Sequence, residues 1–187
     1  SHQHDGFFLS MNIGPAVGDI KLNASGTSFN NKTYTGGGLH GEFKIGGAIR
    51  ENLIMSFDMI GRSIGSPEVD VDGKKSSTAD NVNISNGMLG LGVTYYLMPI
   101  NMFFSGTLGI GRVTFADSVG LPTSSKGGIG IQLKIGKEWW VSNNWGLGIS
   151  GGLGHLSADD KTFSTNPTYS GKYNAGELFV LFNTTFN

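Results

Sequence analysis

Residues 138–154 read Glu-Trp-Trp-Val-Ser-Asn-Asn-Trp-Gly-Leu-Gly-Ile-Ser-Gly-Gly-Leu-Gly, and this stretch decides the fold. Two alternating apolar runs meet at the polar connection 141–144, a pattern that predicts a tight β-hairpin. Trp139, Trp140 and Trp145 therefore lie together beside a turn. In a soluble protein the turns are the most solvent-exposed part of a sheet, where three indole rings would be unfavourable. At a membrane interface Trp is favourable, because one edge of the ring contacts lipid and the other can form hydrogen bonds. The stretch thus predicts the rim of a transmembrane β-barrel.

The composition fits alternating strands. The chain has 187 residues, enough for one domain, and only 14% of them are charged, against about 25% in soluble proteins. The mean hydropathy is nevertheless only -0.07, so the chain is not apolar on average. Strands with one face toward lipid and one toward a polar interior produce this combination. Most of the 31 glycines are scattered singly inside apolar runs, as small residues in a narrow barrel would be.

Several classes of function are disfavoured or excluded. The net charge is -1 and there is no basic run, which argues against a nucleic-acid partner. The absence of cysteine excludes thiolate metal sites, cysteine nucleophiles and disulfides. No signal peptide is visible, and we interpret residues 1–5 as a disordered tail or cloning remnant before a single barrel domain within 1–187.

Residues 81–111 carry no charge and resemble a transmembrane helix at first sight. Pro99 and Asn101 interrupt the run, and single glycines weaken helix on both sides. Each half is too short for a spanning helix but suits a tilted spanning strand. We therefore predict two strands and a turn.

The whole chain divides into eight alternating strands. The strands are predicted at about 6–16, 38–49, 53–64, 89–97, 102–115, 129–139, 145–153 and 175–187. Long polar loops are predicted at 18–37, 65–83, 116–128 and 157–174, and short turns near Glu51, Pro99 and Asn143. After Arg112 the residues Val113 and Phe115 fall on the wrong face for this pattern, which indicates a bulge.

Long and short connections alternate along the chain. This is the arrangement of an eight-stranded antiparallel transmembrane β-barrel with short periplasmic turns and long extracellular loops. An even strand number places both termini on the periplasmic side of a bacterial outer membrane.

From about residue 6 to 187 the chain resembles eight-stranded outer-membrane β-barrels of the OmpA/OmpX type. The most similar stretches are 4–9, 138–148 and the last strand, although Asn187 follows the aromatic Phe186 that such barrels place last. The resemblance implies a small, non-enzymatic, monomeric barrel with a structural or surface-interaction role. It also implies outer-membrane lipids and lipopolysaccharide as surroundings, barrel-assembly machinery as a folding partner, and an unidentified extracellular ligand of the loops.

Two groups of candidate residues follow from the strand faces. Charges of both signs on inward positions predict an ion-pair network that plugs the lumen: Glu42, Lys44, Asp58, Arg62, Lys134, Glu138 and Glu177. We expect Glu42 and Lys44 to face Asp58 and Arg62 on the neighbouring strand. Outward aromatics predict a membrane-interface girdle of Trp139, Trp145, Tyr95, Phe104 and Phe186, with Tyr96 and Phe103 as companions. Trp140 points inward in this alternation, beneath Glu138.

Four alternatives are weaker. The charged lumen could be a narrow pore for small solutes. His155 and Ser157 resemble the His-x-Ser of barrel enzymes that modify lipid A, but no Glu lies on the same face to orient the imidazole. A soluble lipocalin-like carrier would share the alternation. A calcium-binding loop of Asp70, Asp72 and Asp80 is the fourth alternative, but these residues do not have EF-hand spacing. We predict no catalytic residue, metal or cofactor.

Overall fold

A computed structural model describes residues 4–25, 31–77, 83–116, 122–160 and 170–187. These ranges contain no helix long and apolar enough to cross a membrane. They form eleven β-strands. In chain order the strands are β1 Phe7–Ser25, β2 Lys32–Arg50, β3 Leu53–Gly65, β4 Glu68–Val71, β5 Lys74–Ser77, β6 Asn83–Leu97, β7 Met102–Ala116, β8 Thr123–Ser124, β9 Gly128–Trp140, β10 Trp145–Asp159 and β11 Ser170–Phe186.

The eight long strands close into one antiparallel barrel, which confirms the predicted fold class. Each of them pairs with the next along the chain, and β1 pairs with both β2 and β11. A row of cross-strand partners that starts at Met11 returns to β1 at Lys21, ten residues further along the strand. This stagger tilts the strands and fixes a barrel narrow enough for side chains to fill.

The two ends of the barrel differ. We call the end with the chain termini and the short connections at 51–52, 98–101 and 141–144 the turn end, and the opposite end the loop end. The strands reach further toward the loop end than predicted. β1 continues to Ser25 and β2 begins at Lys32, so most of the predicted loop 18–37 is strand, and β10 and β11 likewise shorten the loop 157–174.

Alternation explains these longer strands. Beyond the apolar belt the outward residues of β1 become polar, whereas the inward Ile20 is fully buried. The period of two therefore continues with its polarity reversed, as in a water-exposed sheet with an apolar interior. A composition rich in Asn, Ser and Thr hid this pattern.

The predicted loop 65–83 contains a hairpin of β4 and β5, and β4 pairs with the first residues of β2. Its turn uses positive φ angles at Asp72 (51°) and Gly73 (82°). The Asp70 carboxylate accepts a hydrogen bond from the Gly73 amide at 2.8 Å. Asp70 thus stabilises a turn, as a short polar side chain can do locally.

The bulge predicted after Arg112 is wrong. The pairing of β6 with β7 is continuous from Asn83 opposite Ala116 to Leu97 opposite Met102. Val113 is fully buried inside the barrel because the interior is apolar at the loop end. The register of β2 and β3 instead shifts between Ala48 and Arg50.

The outer face of the barrel carries a continuous apolar belt. Large apolar side chains that would be hidden in a soluble protein are exposed there, with Leu91 at 66%, Ile110 at 70% and Phe182 at 65%. An exposed apolar surface of this extent needs a cover, and a lipid bilayer supplies one around a whole barrel.

Candidate functional site: the charged lumen

The first ion pair of the lumen joins the neighbouring strands β2 and β3. Lys44 and Asp58 are directly opposed, with 2.8 Å between Nζ and Oδ2, and their side chains are 2% and 0% exposed. The Lys44 ammonium also donates to Ser105 Oγ at 3.0 Å and Thr107 Oγ1 at 3.4 Å, which occupies its three donors. Ser56 and Thr107 donate to the Asp58 carboxylate at 2.6 and 2.5 Å. Both buried charges are therefore fully hydrogen-bonded.

The second ion pair crosses the lumen. Lys134 Nζ on β9 lies 2.5 Å from Glu42 Oε2 on β2, although these strands are not neighbours in the sheet. Asn12 donates to the same carboxylate at 2.8 Å, and Gln132 donates to its other oxygen. His40 Nε2 lies 3.3 Å from Glu42 Oε1. The pair ties opposite walls of the barrel together.

The third ion pair also spans the lumen, from β3 to β11. Arg62 Nε lies 3.6 Å from Glu177 Oε2, and Arg62 Nη1 donates to the Gly176 carbonyl at 3.0 Å. His40 Nδ1 lies 3.1 Å from the same Glu177 oxygen. His40 therefore links the second and third ion pairs, a role that its lone position in the sequence did not indicate.

Glu138 has a different environment from the other six residues. Its Oε1 accepts hydrogen bonds from Thr185 at 2.7 Å and Tyr96 at 3.5 Å, and within the described part of the chain no cation lies within ion-pairing distance. The residue is only 2% exposed.

The structure thus places all seven sequence-predicted charges inside the barrel, but Glu42 and Arg62 do not pair across β2 and β3. Their partners come from β9 and β11 because the stagger of the strands decides which residues share a level in the lumen. Period-two alternation reveals the inward face but not this level. The neutral members of the network, among them Asn12 and Gln132, carry no signal in sequence other than their inward parity.

An apolar layer lies inside the barrel at the loop end. Its fully or nearly fully buried members come from six of the barrel strands: Ile20, Ile64, Ile84, Val113, Leu156, Tyr173 and Ala175. Tyr34 and Phe115 pack against it, with 5.5 Å between their ring centroids. The alternation of the strands predicts a polar interior and gives no sign of this layer.

A second layer lies inside the barrel at the turn end and corrects two predictions. Tyr96 and Phe103, expected in the outer girdle, are each 2% exposed and pack inside the barrel with Phe8 and Ile54. Their positions follow the alternation of β6 and β7, in which Tyr95 and Phe104 take the outward places.

His4 belongs to this turn-end layer, which differs from the tail predicted for residues 1–5. Residues 1–3 lie outside the described ranges, but His4 is fully buried and stacks on Tyr96 with 3.5 Å between ring centroids. The Trp140 ring, predicted to point inward, lies 5.0 Å away. His4 Nε2 lies 2.9 Å from Asn101 Oδ1, which acts as the hydrogen-bond acceptor. Burial lowers the pKa of His4 because it disfavours the imidazolium.

The other predicted aromatics lie on the outer face. Trp139, Tyr95, Phe104 and Trp145 are 54%, 48%, 49% and 37% exposed, and Phe186 is half-buried. The rings of Trp145 and Phe186 meet edge to face at 5.2 Å. Lys137 Nζ lies 5.6 Å from the centroid of the Trp139 ring.

The geometry does not assemble a catalytic site from His155 and Ser157. The Ser157 hydroxyl donates to Asn174 at 3.0 Å, and His155 is exposed on the outer face. Glu177 lies on the opposite side of the barrel wall, with His40 and Arg62. Within the described ranges no three His, Asp or Glu residues are placed to hold a metal ion.

The arrangement of strands can be compared with solved structures. Neisserial surface protein A has 16% sequence identity and a TM-score of 0.61, over 96% of both chains. The chain has the fold of an eight-stranded outer-membrane barrel. The outer-membrane protein OprG from Pseudomonas aeruginosa has 15% identity and a TM-score of 0.57, over 100% of this chain and 98% of OprG. The outer-membrane protein AlkL has 14% identity and a TM-score of 0.55, over 100% of this chain and 92% of AlkL. No protein-family model and no curated protein matches the sequence.

Proposed function

We propose that this chain is a small non-enzymatic barrel of the bacterial outer membrane, with a structural or surface-interaction role and a closed lumen. The observation that supports the proposal is the filling of the lumen in three successive layers: apolar at the loop end, charged in the middle and aromatic at the turn end. Each buried ion pair joins β-strands of the wall through the lumen, which favours a plug over a water path.

The membrane location is supported by the outer face. The apolar belt surrounds the barrel, and every long strand is paired on both sides, so no barrel edge is left for a second copy to cover. On this proposal the barrel is a monomer in outer-membrane lipid and lipopolysaccharide, and it is folded there by the barrel-assembly machinery. Migration on a gel before and after boiling tests the folded membrane barrel. A protein that is soluble without detergent and shows no shift would contradict it.

The orientation is the second part of the proposal: the turn end and both termini face the periplasm, and the loop end faces outward. The exposed hairpin turn of β4 and β5 carries Lys74 and Lys75, two trypsin sites. Trypsin added to intact cells should cut there while an epitope at the C-terminus stays protected. Protection of the hairpin with loss of the epitope would reverse the orientation.

The closed lumen distinguishes this role from a narrow pore. Vesicles that contain the protein should swell in isotonic arabinose or glycine no faster than vesicles without it. Because the loop-end layer contains no charged side chain, solutes would have to displace packed apolar groups to pass. Swelling at the rate of a general porin would contradict the proposal.

A further inference from the structure

A groove of about 410 Å³ lies on the outer face at the border of the apolar belt. Met59, Leu89 and Ile110 stand side by side on β3, β6 and β7, and they are 54%, 45% and 70% exposed. They form an apolar strip along one side of the groove. The strip is apolar, as the surface of a lipid acyl chain is.

The next row toward the loop end contains almost no side chains. Gly61 lies opposite Gly87, and Gly87 lies opposite Arg112. A Cβ at Gly61 would meet nothing within 4 Å, and one at Gly87 would meet only the Ile60 carbonyl at 3.7 Å. The two glycines therefore leave an open recess beside the guanidinium, and they could carry larger residues without a clash in the barrel wall.

Arg112 is the charged group of the groove. It is exposed, and among the described residues no carboxylate lies within ion-pairing distance of it. Its neighbour on β7 toward the turn end on the same face is Ile110, so the guanidinium stands where the apolar belt stops. A planar guanidinium at this level is suited to bidentate hydrogen bonds with a phosphate.

A row of hydroxyls follows above Arg112. Ser63 lies opposite Ser85, and Ser85 lies opposite Thr114. From the turn end toward the loop end the surface thus offers an apolar strip, then a cation beside a recess, then hydroxyls. This order of surface features matches an amphiphile with an acyl chain, a phosphate and a sugar, in that order.

We propose that this groove binds one phosphorylated glycolipid of the outer leaflet, with the phosphate on Arg112 and an acyl chain along Met59, Leu89 and Ile110. The proposal rests on the outer-membrane location and orientation proposed above, which place the loop end in the outer leaflet. It goes beyond general lipid contact because it names one side of the barrel and one headgroup chemistry.

Native mass spectrometry of the full chain in detergent tests the site, with an acylated glucosamine disaccharide diphosphate as probe. Arg112→Gln should weaken binding about tenfold or more, because a charge-assisted contact is lost. The dephosphorylated disaccharide should bind the unaltered protein as weakly as the diphosphate binds Arg112→Gln. Gly87→Leu should also weaken binding, because it fills the recess.

Two matched controls separate the site from general effects. Lys172→Gln removes another exposed charge on the outer face at the loop end. Gly151→Leu replaces an outward glycine on β10, which is separated from the groove by β9. Both should bind the diphosphate like the unaltered protein. Equal losses in Arg112→Gln and Lys172→Gln, or equal binding of the two disaccharides, would overturn the proposal.

Every variant must first show the heat-dependent gel shift of the unaltered protein. If the variants all show the gel shift but do not differ in lipid binding as predicted, the lipid site alone is refuted. Absence of the shift in the unaltered protein would refute the membrane barrel itself.

Discussion

Replacing Lys44 by Met tests whether the buried Asp58 carboxylate depends on its ion-pair partner. The substitution keeps the length of the side chain but removes the ammonium that lies 2.8 Å from Asp58. The carboxylate, 0% exposed, then keeps only the hydroxyl donors Ser56 and Thr107. Removal of one partner from a buried ion pair costs about 3–5 kcal/mol of unfolding free energy. Lys21→Met, which opens an exposed pair with Asp19 at 3.0 Å, should cost less than about 1 kcal/mol.

The double variant Lys44→Met/Asp58→Asn separates the cost of an uncompensated charge from the loss of the ion pair itself. Its neutral amide removes the uncompensated charge, and the neighbouring hydroxyls can accept as well as donate hydrogen bonds. We expect it to be more stable than Lys44→Met alone, within about 2 kcal/mol of the unaltered protein. Equilibrium urea unfolding in lipid vesicles, followed by tryptophan fluorescence, measures all three differences. A cost for Lys44→Met as small as that for Lys21→Met, or no recovery in the double variant, would refute the account.

Three further predictions concern the layers of the lumen. The pKa of His4 is lowered by burial, so the turn end is fully stable above the ordinary value of 6.5 and loses stability as the pH falls through the folded-state pKa. The hydrogen-exchange protection of residues 4–8, corrected for the intrinsic exchange rate at each pH, should therefore fall in acid, and His4→Phe should abolish this fall. Ile64→Ala should cost about 2–5 kcal/mol in urea unfolding, because Ile64 is fully buried in the loop-end layer. Gly92→Val should prevent the heat-dependent gel shift, because its Cβ would overlap the Asp58 carboxylate, whereas the outward Gly61→Val should keep it.

Much of the architecture could be predicted from sequence because a barrel repeats one local rule. Inward and outward residues alternate with a period of two, and three short turns mark one end. Trp139 and Trp145 indicated the outer face at that end. These signals are local, so eight strands and the closed antiparallel order followed from them.

The remaining features depend on non-local geometry. Glu42 pairs with Lys134 because the ten-residue stagger brings β2 and β9 to one level, and no spacing along the chain encodes that. Ile20 and Tyr34 fill the loop end from segments whose composition resembles a loop, because the polarity of the strands reverses outside the apolar belt. His4 packs into the turn end through ring contacts with Tyr96, which a terminal position in the sequence does not suggest.

Single-channel recording in planar lipid bilayers tests the closed lumen most directly. The unaltered protein, delivered to the bilayer by fusion of vesicles in which it shows the heat-dependent gel shift, should give no conductance steps at either polarity. On the proposed function, the apolar layer at the loop end and the His4 layer at the turn end each lie in the path of an ion. Conductance steps of uniform size in the unaltered protein would contradict a filled lumen and show that the charged layer lines a pore.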